Sequence, residues 1–446
     1  MQKFIRLTAS LFAVLFATTI MAQTAQQNKK LEYTEYDLPN GLHVILHQDN
    51  SNPIVAVSIM YHVGSKNENA DRTGFAHFFE HLMFEGSPNI KRGEYFKMVQ
   101  NAGGVLNANT SWDRTYYFEI LPSNQFELGM WMEAERLLQL RIDSTGVETQ
   151  RGVVKEERKQ GIENRPYGSL LEQTFSHAYT KHPYRWTPIG SAQYIDQATI
   201  KEFRDFHDMY YVPDNAVLSI AGDFDMAKAK EMIKKYYGDI PRGKAKIVRP
   251  TVVEPPQIKE VRDTVLDNIQ LPAVIMAYHM PAQGTDDSYA MQMLTTLLSD
   301  GESSRMYKTI VDQQQKAMYV GAFPLALEDP GLFLVFGIVN MGIAPLDLEN
   351  AITAEIEKVQ KEELGDREFE KLRNKMENDF VTQNSSMSGI AENLANYYMY
   401  FKNTNLINTE IEKYMKVTKA DIKRVANTYL KKENRVVLYY LPKNQN

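Results

Sequence analysis

Cysteine is absent from all 446 residues. That absence excludes a disulfide framework, thiolate metal ligands, a cysteine nucleophile and a lipidated cysteine behind a leader. Any metal must be held by His, Asp or Glu. Histidine is scarce, nine in the chain, so two at ligand spacing carry weight. A basic excess is missing as well: 50 Lys and Arg stand against 56 Asp and Glu, for a formal charge of −6. Without a Lys/Arg stripe the chain lacks the electrostatic footprint of nucleic-acid binding, and no nucleic-acid partner is expected. Low-complexity tracts are missing too, and 43% hydrophobic with 24% charged residues is the balance of a folded globular chain. The length predicts two or three domains.

Long apolar runs are confined to the start. Lys3 and Arg6 precede a stretch of apolar or small residues that ends near Ile20, with Ala22 at a plausible cut. At about 14 residues the stretch is shorter than the roughly 20 that a bilayer span needs. Residues 1–22 therefore read as a secretory signal peptide, the alternative being an uncleaved anchor. No later run predicts a stable membrane span, so a periplasmic or secreted protein is expected.

Asn40-Gly41 lies between two alternating runs, 33–38 and 42–46, which is a strong hairpin cue. A further strand is predicted over 54–62. Thr73 is placed to cap a helix over 74–85. A strand over 115–121 follows, then helices over 124–140, 148–163 and 200–211 and a strand over 216–221. Residues 241–256 are rich in Pro, Gly and basic side chains without periodicity and read as a linker. The second part repeats the first in outline, and its ends match best: Ile200-Lys201 through Asn215-Ala216-Val217 parallels Ile422-Lys423 through Asn434-Arg435-Val436. The prediction is an α+β fold of two duplicated domains of about 210 residues, each a mostly antiparallel sheet packed with helices. Their expected limits are 31–240 and 257–446.

Chemistry concentrates in Thr73-Gly-Phe-Ala-His77-Phe-Phe-Glu80-His81-Leu-Met-Phe. On a helix, His77 and His81 project from one face about one turn apart and can grip one ion. Glu80 borders the same face, within reach of a water on that ion rather than of the ion itself. This is the H-x-x-E-H pattern, the reverse of H-E-x-x-H. Two imidazoles suit zinc, whose catalytic sites take three protein ligands, and a neighbouring carboxylate serves as general base. The third ligand must come from elsewhere, and Glu148, Glu156, Glu157 and Glu163 are the acidic candidates in the later helix. The other histidines read as core or surface residues.

These residues resemble the pitrilysin family of metallopeptidases (M16), whose H-x-x-E-H is followed by a Glu ligand on another helix about 75 residues on; here 75 residues separate His81 from Glu157. Gly103-Gly104-Val105-Leu106-Asn107-Ala108-Asn109-Thr110, Arg151-Gly152-Val153-Val154-Lys155-Glu156-Glu157-Arg158, His182-Pro183-Tyr184 and Tyr211-Val212-Pro213-Asp214-Asn215-Ala216 extend the match. The resemblance implies one Zn2+ per chain, held by His77, His81 and Glu157. It implies a clamshell of two domains acting as an endopeptidase on peptides or unfolded segments. It also implies that Asn107 and Ala108 offer a strand edge to which substrate adds. Two departures stand out. The family's supporting acid seven residues before the Glu ligand is here Gln150, with Glu148 two residues off as a substitute. The family's Arg and Tyr, seven apart after a Ser-Ser-Arg segment, hold the substrate carbonyl. Here Ser303-Ser304-Arg305 and Tyr319 are present, but Asp312 occupies the Arg position. Tyr319 is thus a catalytic candidate that either acts alone or is completed by a second subunit; a homodimer, or a heterodimer with a related subunit supplying the Arg/Tyr pair, is the expectation. A non-catalytic scaffolding or partner subunit of an M16-type complex is the alternative.

Overall fold

The computed structural model describes residues 30–443; the expected signal peptide lies outside them. The first half runs β1 (Thr34–Asp37), β2 (His43–Gln48), β3 (Ile54–Tyr61), α1 (Phe75–Leu82), α2 (Glu94–Asn101), β4 (Val105–Thr110), β5 (Thr115–Pro122), α3 (Phe126–Leu138), α4 (Ser144–Arg158), α5 (Leu170–Ala178), α6 (Ala192–Gln197), α7 (Ile200–Tyr210), β6 (Ala216–Gly222) and α8 (Met226–Tyr237). The second runs β7 (Val261–Asp267), β8 (Ala273–His279), α9 (Asp286–Ser299), β9 (Ala317–Leu325), β10 (Leu332–Val339), α10 (Pro345–Lys361), α11 (Asp366–Gln383), α12 (Met387–Phe401), α13 (Leu406–Lys416), α14 (Lys419–Tyr429) and β11 (Arg435–Pro442).

The two sheets have orders β1-β2-β6-β3-β5-β4 and β7-β11-β8-β10-β9. With β1 set aside, the orders coincide strand for strand. The parallel pair is β2/β6 in one and β7/β11 in the other, and the remaining pairs are antiparallel. The fold is therefore the duplicated α+β architecture expected from the sequence. Its opening hairpin turns where Asn40-Gly41 predicts, with Asp37 opposite His43. Gly41 has φ 91°, which a side chain would strain, while the Asn40 amide donates to the Tyr237 and Ile240 carbonyls. Residues 241–256 contain no helix or strand. They are not loose, because Glu254 accepts from the backbone N–H groups of Thr180, Lys181 and His182 and from the Thr180 hydroxyl at 2.7–2.9 Å.

Each sheet has two buried faces, and each half supplies a helix to the other. Val44, Leu46, Val57, Ile59, Leu218 and Ile220 of the first sheet form a core with Phe75, Phe78, Phe79 and Leu82 of α1. Against the same sheet packs α12 from the second half, with Tyr398 stacked on His43 at 3.3 Å. In return α5 packs on the second sheet, where Phe175, Ala178 and Tyr179 join Ile275, Ala277, Leu334 and Leu438. A buried ion cluster reinforces this exchange. Lys66 Nζ lies 2.8 Å from Asp113, 2.7 Å from Glu328 and 3.0 Å from Asp329, the last two on the β9–β10 connection.

The Thr73 cap is a correction. The α1 N-cap is Gly74, in the left-handed region at φ 96° with no side-chain cap of its own. Thr73 Oγ1 instead accepts from the Ser191 N–H at 3.1 Å. The helix is capped from further away: Glu68 accepts from the Gly74 N–H at 2.9 Å and the Ala76 N–H at 2.8 Å. Burial pushes the Glu68 carboxyl up to about 8 against these hydrogen bonds, and its oxygens satisfy two of the helix's orphan donors.

Candidate metal centre and catalytic carboxylate

The helix α1 is short, apolar on its inner side and held at both ends. Phe78 stacks on Phe203 with ring centroids 4.5 Å apart, and Phe79 stacks on Phe206 at 5.5 Å, fixing α1 against α7. At its far end Arg136 Nη1 donates to the Met83 carbonyl at 3.3 Å. Arg136 is buried over the rings of Phe84, Tyr95 and Tyr117. With the inner face fixed, His77 and His81 are left on the outer face, their ring centroids 4.8 Å apart.

Opposite them stands Glu157, one residue before the end of α4. Its carboxylate oxygens lie 3.6 Å from His77 Nε2 and 3.2 Å from His81 Nε2. Among the described residues these three form the one group whose ligand atoms all lie within 4.8 Å of one another. Immediately beyond Glu157 the helix widens into a π-helical turn over Lys159–Glu163, where the sequence predicted an unbroken α-helix. The other acidic candidates point elsewhere. Glu148 pairs with Arg151, Glu156 accepts from Gln160, and Glu163 pairs with Arg158. Glu148 is thus no substitute for the family's supporting acid. Gln150 donates to Glu85, a buried carboxylate that also takes Arg92.

The charges of the cluster depend on one another. Burial, joined by the neighbouring His81, pushes the His77 imidazole down to about 4, so it stands neutral with a lone pair to offer. The hydrogen bond with His81 holds the Glu157 carboxyl below its usual range. Two neutral-capable imidazoles and a carboxylate converging within one ion's reach are a zinc donor set, and the residues fit that metal. Glu80 is not in the triad. Burial raises its pKa, against the lowering effect of a 2.6 Å hydrogen bond from Thr110 Oγ1 to its Oε2.

Thr110 is the last residue of β4, an edge strand of the first sheet. Asn107 and Ala108 lie on the same strand, opposite Phe118 and Tyr117 of β5. The Ala108 N–H donates to the Asn107 side-chain Oδ1 at 2.9 Å. Tyr319 is set apart from this assembly. It sits on β9, the edge strand of the second sheet, 45% exposed, and lines a cavity of about 370 Å³ built entirely from second-half residues. Asp312 is exposed, and Arg305 is engaged by Glu368. Sequence reasoning missed Thr110, Glu68 and Arg136. Thr110 carried a signal, since it ends the Gly103–Thr110 stretch already singled out, in phase with Ala108. The other two meet α1 only through tertiary packing.

The chain has clear relatives among known proteins. The family model for insulinase (peptidase family M16) matches residues 43–189, and that for the peptidase M16 inactive domain matches residues 197–376. The zinc protease PqqE of Helicobacter pylori is 31% identical over 427 residues, covering 95% of this chain and 96% of its own length. A protease from Helicobacter pylori of known crystal structure superposes with a TM-score of 0.89 at 31% identity, over 93% of this chain and 100% of that one. The first half of the periplasmic protease PqqL of Escherichia coli shares the fold, with a TM-score of 0.74 at 18% identity, over 93% of this chain and 92% of that one. Matched by both family models and by a relative along nearly its whole length, this chain belongs to peptidase family M16.

Proposed function

We propose that the chain is a zinc-dependent endopeptidase of peptides or unfolded segments, with zinc held by His77, His81 and Glu157 and Glu80 as general base. Zinc bound there supplies a Lewis acid that polarises a scissile carbonyl and acidifies water. Glu80 takes the proton of the attacking water on Oε1, the oxygen Thr110 does not hold, and passes it to the leaving amine nitrogen. Substrate adds as a further strand at Asn107 and Ala108, main chain to main chain, so extended segments are favoured over folded ones. The observation that carries this reading is the Thr110–Glu80 hydrogen bond, which ties the open strand edge directly to the base.

A carbonyl-holding group is the part this chain does not bring to the triad. Tyr319 lies on the second sheet and Asp312 cannot donate to a developing oxyanion. A related subunit therefore supplies the Arg/Tyr pair across a heterodimer, or, in a homodimer, a second copy supplies Tyr319 without the Arg. The domains are taken as 31–240 and 257–446, and export is assigned to residues 1–22. The test is metal analysis and peptide hydrolysis of wild type beside Glu80→Gln, each alone and mixed with its genomic neighbour. Zinc in both proteins with turnover only in wild type supports the reading. Turnover unchanged in Glu80→Gln, or no zinc in wild type, overturns it.

A further inference from the structure

The β4–β5 turn carries a cation that the reading above does not use. Ser111 closes this turn, its N–H donating to the Arg114 carbonyl at 2.8 Å and its hydroxyl accepting from the Arg114 N–H at 3.1 Å. The Arg114 side chain is thereby placed back along β4. Its guanidinium is 14% exposed and forks between two acceptors. Nη1 donates to Asn109 Oδ1 at 2.8 Å, and Nη2 donates to Glu392 Oε1 at 2.5 Å. The carbon of the guanidinium also lies 5.2 Å from the Tyr116 ring centre, which limits its freedom to swing away.

Glu392 belongs to α12, the helix that the second half lends to the first sheet. Asn109 directly precedes Thr110, whose hydroxyl holds Glu80. A continuous path of short polar contacts therefore runs from the second half to the base: Glu392, Arg114, Asn109 and, through the chain, Thr110 and Glu80. An edge strand has no neighbour on its open side to fix it, so the end of β4 depends on what grips its side chains. Here a guanidinium that is itself shielded reaches the exposed Asn109 amide with one nitrogen and the Glu392 carboxylate with another, a planar reach for which Arg is better suited than Lys.

We propose that Arg114 is a positioning residue for peptide hydrolysis, through which Glu392 of the second half fixes the substrate-binding strand and the Thr110–Glu80 contact in the first. The second half thus serves the metal half of its own chain, independently of any carbonyl-holding group that a second subunit brings. The inference rests on the peptidase reading and deepens it.

The test uses the full chain with zinc bound and an extended peptide substrate. Arg114→Gln, Glu392→Gln, the double variant and Arg114→Lys are compared with wild type for kcat, KM, zinc retention against a chelator, and thermal unfolding. A small displacement of a positioned group costs about 10-fold to 10²-fold in rate. Each single variant is therefore expected to lower kcat/KM by about 10-fold, chiefly in kcat. Zinc retention should be unchanged, the double variant no worse than either single one, and Arg114→Lys an incomplete substitute, because one ammonium nitrogen does not reproduce the two separate nitrogens that reach Asn109 and Glu392. Additive losses in the double variant, unchanged kcat/KM, or losses that follow only the amount of folded protein would overturn the proposal. A wild type with no peptide hydrolysis at all would count against the peptidase reading itself, which keeps the two failures apart.

Discussion

The two halves share one sheet order and diverge where chemistry is concerned. Between β3 and β4 the first half places α1, with two histidines and a glutamate on its outer face. Between β8 and β9 the second places α9, whose Tyr289, Met291, Met293, Leu294, Leu297 and Leu298 are all buried and which has no histidine. The edge strands differ in the same sense. Strand β4 alternates exposed and half-buried positions and ends in Thr110 on the base. Strand β9 exposes Met318, Tyr319 and Phe323, the last two lining a cavity built from second-half residues. A shared topology therefore fixes where a site can be built, and the side chains of one helix decide whether it is.

Removing a ligand breaks this asymmetry at its strongest point. His81→Ala should leave two donors, strip the metal and lower hydrolysis by at least about 10³-fold, as loss of a catalytic metal's chemistry demands. Zinc content and initial rates measure it together. If hydrolysis survives in metal-free His81→Ala, the catalytic centre is not in the first half.

The next largest effect concerns what joins the halves. Lys66 is 7% exposed and held among Asp113, Glu328 and Asp329. Lys66→Met removes the lysine that the three carboxylates share and breaks its buried pair with Asp113, a loss that for a broken buried pair costs about 3–5 kcal/mol, read by urea unfolding. The same cluster sets an acid limit. Against burial, which raises it, His62 and Lys66 hold Glu328 down to about 2, while His182 and Lys66 hold Asp329 down to about 2. Depressed carboxyl pKa values add stability above the ordinary carboxyl range and lose it as pH falls from about 4.5 through 2. Wild type should therefore lose stability across that window, and Lys66→Met should show a shallower slope. Parallel slopes would mean that the halves are held by the exchanged helices alone.

Tyr319→Phe tests the second half's own claim to chemistry. If a phenol from a neighbouring copy holds the carbonyl, its loss should cost about 10²-fold in kcat. Zinc content should be unaltered, and activity per chain should fall on dilution. A loss confined to KM would assign the residue to peptide packing at β9 instead.

How much of this was legible in the chain follows the range of the interactions. The Asn40-Gly41 turn, the strand over 216–221 and the duplicated helix-to-strand ends were readable because turn chemistry and periodicity are local. The His77, Glu80 and His81 face was readable for the same reason, since helical phase alone places it. Helical phase did not separate Glu157 from Glu148, Glu156 and Glu163, because the choice depends on how α4 crosses α1. The cap on α1 was misassigned to Thr73 because Glu68 reaches back across a loop, a contact with no fixed sequence offset. The exchange of α5 and α12 left no trace in the sequence either, as an amphipathic helix does not declare which sheet it covers.

The smallest effect is the most discriminating, because it isolates one hydrogen bond at the point where strand edge and base meet. Thr110→Val keeps the volume and the β-branched strand preference but removes the donor to Glu80 Oε2. The carboxylate then loses its anchor and one of the influences that lower its pKa, while burial still raises it. Losing one such positioning contact should lower kcat/KM by about 10-fold with zinc content and unfolding unchanged. Thr110→Ser retains the hydroxyl and should recover most of that loss, whereas a strand that merely needs a branched side chain would favour Val over Ser. The order of the two variants, measured on one extended peptide, decides whether β4 acts on the base through its hydroxyl or only offers its backbone to substrate.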